Sequence, residues 1–391
     1  MSSAYIVAAR RTAGAKRKGA LREWHPADLG AAILDALVSD TGIDPAAIED
    51  VIMGCVSQVG EQSFHIGRSC VLASSLPTSV PAVTIDRQCG SSQQSLHFAA
   101  QAVMSGTQDV VIAAGVESMT RVPMGSPTML AMQAGVGSGP FSPAIQERFG
   151  VPMFSQFTGA QMIVDKYGFT REQLDGFALE SHRKAAAATD AGAFDDEILV
   201  LDGVDKEGNA IRHVADEGIR ADATMDGLAS LDPLSPGGAI TAGNASQICD
   251  GASGLLVVSE AALKTHGLTP LARIDALAVT AGDPVIMLME PVPATAKVLQ
   301  RAGRTHDDIR LYEVNEAFAS VPLAWLQETG AASDRLNVNG GAIALGHPLG
   351  ASGTKLMTSL VHALRNRGGG FGLQTMCEGG GIANATIIEA L

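Results

Sequence analysis

LVSDTGIDPAAIEDVIMGCV at 37–56 and VLQRAGRTHDDIRLYEVNEAFA at 298–319 are two copies of one pattern. In each, helical spacing runs into a glycine, Gly42 or Gly303, and an isoleucine follows at Ile48 or Ile309. An apolar strand pattern then closes at Gly54 or Asn315. Glycine just past the last periodic residue is a helix stop, so helix, stop and strand are predicted twice. Beyond the anchor each copy carries a strand, a Gly-rich loop and an amphipathic helix. Each helix leads to a further apolar strand, DVVIAAG at 109–115 or GFGLQTM at 370–376. Strands alternating with helices of this length imply βαβ units and a mainly parallel sheet. The expectation is a duplicated α/β fold with pseudo-twofold symmetry, its first half at 1–268 and its second at 269–391.

Between the copies, roughly 120–250, the text changes. It opens rich in Met, Pro and Gly and then shows one clear helix, TREQLDGFALESHRKAAAATDAG, with Thr170 and Gln173 in capping-box spacing. This stretch is expected to be an inserted loop domain covering the site. The N-terminal YIVAA reads as a first strand and RRTAGAKRKGAL as the loop after it. Neither a secretory leader nor an apolar run long enough to span a bilayer is evident.

Composition excludes several classes. With 46% hydrophobic and 17% charged residues the chain is globular. A net charge of −14 argues against a nucleic-acid partner, since phosphates require a basic footprint. Five cysteines, at 55, 70, 89, 249 and 377, form no CxxC pair. That points to reduced thiols in the cytoplasm and to no metal.

Two of those cysteines and one histidine sit in Gly-rich punctuation: AVTIDRQCGSSQQSL at 82–96, GLQTMCEGGGIA at 372–383 and NVNGGAIALGHPLGASG at 337–353. Cys89 lies near the start of a helix, where the dipole and free N–H groups favour a thiolate; a small buried residue is the plainer alternative. His347 can take a thiol proton near neutral pH, or be merely structural. Cys377 precedes three glycines whose N–H groups could form an oxyanion hole, or simply a turn. Asn315 could orient a water or act as a cap. His97, Cys55, Cys70 and Cys249 read as packing residues, and the remaining histidines as surface residues.

Taken together, the segment around Cys89, NEAFA at 315–319, GGAIALGHPLGASG at 340–353 and CEGGG at 377–381 resemble the thiolase family, nearly end to end. The resemblance implies a five-layered α-β-α-β-α core. It implies Cys89 as the acylated nucleophile and His347 as its activator. Cys377 would be the acid/base at the acetyl-CoA α-carbon, and Asn315 would hold a water in an enolate hole with His347. The N–H groups of Cys89 and Gly379 would form a second hole. Arg220 would meet the nucleotide side of CoA, Ser246 the pantetheine, and Ala317 and Phe318 would line the same tunnel. CoA and acyl-CoA would be substrates, with no metal, nicotinamide or flavin, in a homodimer or homotetramer. MFSQFTGAQ at 153–161 departs from the His-Met pattern of short-chain biosynthetic members and is similar to members that degrade bulky or steroid side chains. Glu378 replaces a commoner apolar residue.

The expected activity is cleavage of a 3-ketoacyl-CoA by CoA, with condensation of two acetyl-CoA as the alternative. A thiolate suits both steps, because it attacks well and leaves well from a thioester. A ketoacyl synthase of the same fold would need a second histidine or an asparagine where Cys377 stands. A non-catalytic acyl-CoA binder would not need Cys89, His347 and Cys377 together.

Overall fold

The computed structural model describes residues 3–391; Met1 and Ser2, which open the expected first half, lie outside the described residues. The two anchor copies fold alike. The helix Pro26–Thr41 stops at Gly42 and the helix Pro291–Ala302 at Gly303, both with φ of 64°. This left-handed geometry returns the Gly42 N–H to Val38 at 2.9 Å and the Gly303 N–H to Gln300 at 3.2 Å. A single 3₁₀ turn follows each stop, Pro45–Ala47 or His306–Asp308, and then the strand.

The strands are β1 (Ala4–Thr12), β2 (Ala15–Lys16), β3 (Asp50–Gly54), β4 (Ala82–Ile85), β5 (Val110–Ser118), β6 (Ile198–Leu199), β7 (Leu201–Val204), β8 (Ala210–His213), β9 (Cys249–Ser259), β10 (Ala272–Ala281), β11 (Ile309–Val314), β12 (Gly370–Glu378) and β13 (Ile382–Ala390). The main sheet runs β11-β12-β13-β10-β1-β9-β5-β3-β4. The expectation of a mainly parallel sheet is corrected. Only β3–β4, β3–β5, β11–β12 and the short β1–β6 contact are parallel. Each half opens on a strand that pairs antiparallel in the main sheet, β1 with β9 or β10 with β13, continues through parallel βαβ pairing and then turns back. The tight Gly379–Gly381 turn can join β12 to β13 only antiparallel, and β9 returns beside β5 in the same sense. The halves meet at two residue pairs of β1 and β10, Tyr5↔Arg273 and Ile6↔Ala272.

Three apolar clusters stack the layers. Ile33 and Leu37 of the first outer helix pack on Val51, Ile112 and Leu256 of one half-sheet. Leu96 and Val103 of the helix Ser91–Ser105, with Met357 and Leu360 of the helix Ser352–Arg365, fill the space between both half-sheets. Val298 and Trp325 pack on the outer face of the second half-sheet, against Val314 and Leu373. The sequence of layers is helix, sheet, helix, sheet, helix. The Cys89 and His347 loops therefore enter the two central helices, and the core brings them together.

β1 extends through Arg10, Arg11 and Thr12, which the sequence reading placed in a loop. Arg11 is fully buried because its charge is matched there. Its Nε donates to Glu197 at 2.6 Å, and its Nη1 and Nη2 donate to Asp216 at 2.9 and 3.1 Å. Lys355, on the helix that follows His347, also reaches Asp216 at 3.5 Å. This network ties the first strand to the insertion and to the His347 helix. Removing one partner would leave buried charge uncompensated. Arg11→Ala is expected to cost about 3–5 kcal/mol, read as a lowered urea midpoint at fixed protein concentration; an unchanged midpoint would show the network to be neutral.

The insertion holds more than the one helix expected. The capping box is present, with Thr170 Oγ accepting from Gln173 N at 3.2 Å and Gln173 Oε1 from Thr170 N at 2.8 Å. Besides Arg171–Asp190 there are helices at Ser126–Gln133, Pro143–Phe149, Gln156–Tyr167 and Met225–Ala229. Among the described residues, no helix is long and apolar enough to cross a membrane.

Candidate active site

The nucleophile candidate sits on a strained elbow. After β4, the Asp86 carboxylate accepts the Gln88 N–H at 2.6 Å and Gln88 takes φ of 48°. A non-glycine residue in that region costs of order 1 kcal/mol or more and persists only where its surroundings enforce it. Cys89 follows, 9% exposed, and Gly90 caps the helix Ser91–Ser105. The expectation that the helix start would favour the thiolate is overturned. Burial pushes the Cys89 thiol up to about 12, and Glu378 adds to the rise. The N–H groups of Cys89 and Gly379 face the sulfur and act the other way, but desolvation wins. At neutral pH Cys89 is a thiol that needs a base.

His347 is buried at 4% exposure and has the form of that base. Its Nδ1 meets Ser352 Oγ, and the Ser352 hydroxyl donates to the Pro348 carbonyl at 2.8 Å. Ser352 Oγ therefore accepts the Nδ1–H, which leaves Nε2 as the acceptor nitrogen of the ring. Nε2 faces the Asn315 amide at 3.4 Å. Burial, with Lys355 adding, lowers the imidazole to about 3, so the ring is neutral. Gly346, at φ of 80°, lies so close to Cys249 that a Cβ would come within 2.7 Å of its sulfur.

Asn315 continues the β11–β12 ladder by donating its N–H to Thr375 at 3.1 Å. Its side-chain Oδ1 is buried and has no hydrogen-bond partner among the described residues. Glu316 beside it is a latch. Its carboxylate accepts from Ser181 at 2.6 Å, Asn337 at 2.9 Å and the Ile343 N–H at 3.1 Å. One side chain thus joins the insertion, β11 and the His347 loop. Sequence reasoning missed Ser352 and the Gln88 geometry. A serine five residues after His347 is the only trace of the former in the chain, and nothing marks the latter.

Cys377 lies within β12, paired with Ala383, rather than in the glycine loop expected from the sequence. It is 1% exposed and packs in the cluster that contains Ala317 and Phe318. Burial holds its thiol well above the ordinary range, and the neighbouring Cys89 and Glu378 reinforce this. Gly379 follows directly at the end of the strand.

The residues expected to meet CoA divide. Ser246 donates its N–H to Ala317 at 2.9 Å, and Ala245 bridges Phe318, so Ser246, Ala317 and Phe318 adjoin Asn315. Phe157, from MFSQFTGAQ, meets Phe318 edge to face at 5.7 Å. Arg220 lies exposed on a separate loop, where its N–H donates to His182 Nδ1 at 3.2 Å. His182 and His213 are buried, against the expectation of surface residues; His213 instead bonds the Ala13 carbonyl at 3.0 Å.

A duplicated five-layer fold with a thiol and a neutral imidazole at the starts of its central helices, and a second thiol and a buried amide on the adjoining strands, defines a class of acyl-transferring enzymes. The chain matches the thiolase N-terminal domain over residues 4–261 and the thiolase C-terminal domain over 268–390, and it belongs to the thiolase family. It is 49% identical to the steroid 3-ketoacyl-CoA thiolase FadA6 of Mycobacterium tuberculosis, covering 100% of this chain and 95% of that one. It is 41% identical to a 3-ketoacyl-CoA thiolase of Pseudoalteromonas translucida, covering 100% and 99%. Among solved structures, human mitochondrial 3-ketoacyl-CoA thiolase superposes with a TM-score of 0.88 at 35% identity, covering 100% and 99%. The acetyl-CoA acetyltransferase of Bacillus anthracis gives 0.89, also at 35% identity and with the same coverage.

Proposed function

We propose that the chain cleaves 3-ketoacyl-CoA with CoA, through an acyl-Cys89 intermediate, to acetyl-CoA and a shortened acyl-CoA. The observation that carries this reading is a buried Cys89, packed with Leu349 of the His347 loop, together with a buried, oriented His347 beside Asn315. His347 Nε2 takes the Cys89 proton and the sulfur attacks the 3-keto carbon. Negative charge on that oxygen falls on the N–H groups of Cys89 and Gly379. The bond between the α- and β-carbons then breaks, leaving the acetyl-CoA enolate. His347 Nε2–H and a water held by Asn315 Oδ1 stabilise it; the unpartnered Oδ1 supports this role. Cys377, which its surroundings keep protonated, gives its proton to the α-carbon, and the proton on His347 resets it. CoA thiol then passes its proton to His347, its sulfur takes the acyl group, and Cys89 leaves and is reprotonated. Each hole donor is worth about 3–4 kcal/mol of barrier.

Ser246, Ala317 and Phe318 hold the pantetheine side in this reading, and the exposed Arg220 guanidinium meets the nucleotide phosphates. The acyl group is bulky, of branched or steroid size. Support comes from the steroid thiolase at 49% identity and from Gln156-Phe157 standing in place of the His-Met pattern, with Phe157 against Phe318. A panel of 3-ketoacyl-CoAs from four carbons to steroid-sized chains tests this. kcat/KM is expected to rise at least about tenfold toward the bulky end, of the size that differential pocket burial supplies. A preference for acetoacetyl-CoA would instead favour condensation of two acetyl-CoA. Location in the cytoplasm is supported by five free thiols, and a homodimer or homotetramer by Met129, Leu130 and Met132, which are exposed on the helix Ser126–Gln133. A monomeric mass in sedimentation would overturn the assembly.

A further inference from the structure

The duplication puts a glutamate at the same place in both halves, and the two have opposite surroundings. Gly54 pairs with Gly115 in the first half, and Val314 with Thr375 in the second. The matching anchors Gly54 and Asn315 therefore bring Glu117 and Glu378 into register near the ends of β5 and β12. Glu117 packs at the start of one central helix, against Gly350. Its carboxylate accepts from the N–H groups of Val56 at 2.9 Å, Ser57 at 3.0 Å and Gly350 at 2.9 Å, and from Gln62 Nε2 at 2.9 Å. Glu378 packs at the start of the other central helix, against Gly90. The approach is so close that a Cβ on Gly90 would fall 1.9 Å from its Oε1.

Glu378 lacks the donors that Glu117 has. Oε1 accepts one bond, from the Asn384 N–H at 3.0 Å, and Oε2 is buried with no partner among the described residues. The reason lies in the nucleophile loop. Gly350 and Cys89 stand at equal offsets before Ser352 and Ser91. The Gly350 N–H donates to Glu117, whereas Glu378 receives no bond from the Cys89 N–H. The amide that helps to satisfy the carboxylate in one half does not reach it in the other. A carboxylate left without donors in a dry site carries a desolvation cost that the neutral acid avoids.

We propose that Glu378 is a positioning residue for acyl transfer, held as the neutral acid. Its carboxyl fills the space beside Gly90, binds the β12–β13 hairpin at Asn384 and keeps the Gly379 N–H on the Cys89 sulfur; ionisation of that carboxyl disables the nucleophile. This rests on the acyl-Cys89 reading. The charged and titratable groups facing it are Asp86, Arg87 and Cys89 from the nucleophile loop, Cys377 from its own strand and His97, through Asn384, from the central helix. Burial pushes Glu378 up to about 8, while Arg87 and the Asn384 N–H pull it back. His97 and His347 are both lowered to about 3 and Cys89 is raised to about 12, so none of them titrates near pH 8. As pH rises through that value the carboxyl gains charge and opposes the Cys89 thiolate.

The test compares the whole protein with E378Q and E378A. Cys89 is the most exposed of the five thiols, so its alkylation by iodoacetamide can be followed by mass spectrometry from pH 7 to 9.5 alongside acylation by an acyl-CoA. In the wild type the rise in alkylation flattens above about pH 8, while in E378Q it continues at about tenfold per pH unit. E378Q, which keeps the acceptor for Asn384, is expected to acylate at least about tenfold faster than E378A at pH 7, as loss of a positioned hole donor predicts. Superimposable alkylation profiles of wild type and E378Q would overturn the proposal, and so would equal acylation by E378Q and E378A. If no 3-ketoacyl-CoA is turned over, the thiolase reading fails, and the alkylation profiles still decide the state of Glu378. If E378A does not fold, E378Q decides alone.

Discussion

Cys89→Ala abolishes thiolysis of every 3-ketoacyl-CoA, with kcat/KM expected to fall at least about ten-thousand-fold, the scale of losing a covalent nucleophile. The loss is this large because the role proposed for the residue is to carry the acyl group rather than to steady a charge. His347, Asn315 and the Gly379 N–H remain in the variant but have no sulfur to act on. Acyl-CoA that labels the wild type covalently should leave the variant unlabelled. The other four thiols are 0–2% exposed. Covalent label on one of them, or residual turnover within about tenfold of wild type, would remove Cys89 from its role.

Cys377→Ala separates the two thiols. Cys89 acylation by a simple acyl-CoA needs no proton at an α-carbon, so the variant should still take up label. Cleavage of the bond between the α- and β-carbons does need that proton. Overall thiolysis is expected to fall about a hundred- to ten-thousand-fold, the range for removing a positioned acid/base. The same variant should lose exchange of the acetyl-CoA methyl protons with deuterated water. Equal losses of labelling and thiolysis would mean that Cys377 supports Cys89 rather than the carbon acid. The structure favours the separation, because burial, Cys89 and Glu378 all keep the Cys377 thiol protonated and ready to donate.

The legible part of this fold was local. Gly42 and Gly303 stop their helices with the same left-handed φ because glycine pays no Cβ penalty there. Thr170 and Gln173 cap a helix within three residues of each other. Such devices are encoded by neighbours, so the chain shows them directly. The direction of the sheet was not legible in the same way. Apolar runs look alike whether their partner strands run parallel or antiparallel, and β9 meets β5 only after the insertion. Arg11 misled for a related reason: an arginine within a strand is stable only because Glu197 and Asp216 arrive from far along the chain.

The candidate site divides along the same line. The sequence by itself determined the duplication, the family, and that Cys89 and His347 stand on Gly-rich turns, whereas Cys377 proved to lie within β12. The tertiary structure alone decided their protonation. Helix position suggested a thiolate at Cys89, but desolvation by the assembled core outweighs the dipole and leaves a thiol. The acceptor role of His347 Nε2 depends on Ser352, and Glu117 differs from Glu378 in the N–H groups that reach it, from Val56 and Ser57 of its own half and Gly350 of the other. Backbone punctuation is a property of a few adjacent residues. Burial and hydrogen-bond satisfaction belong to groups that meet only when the two halves close on each other.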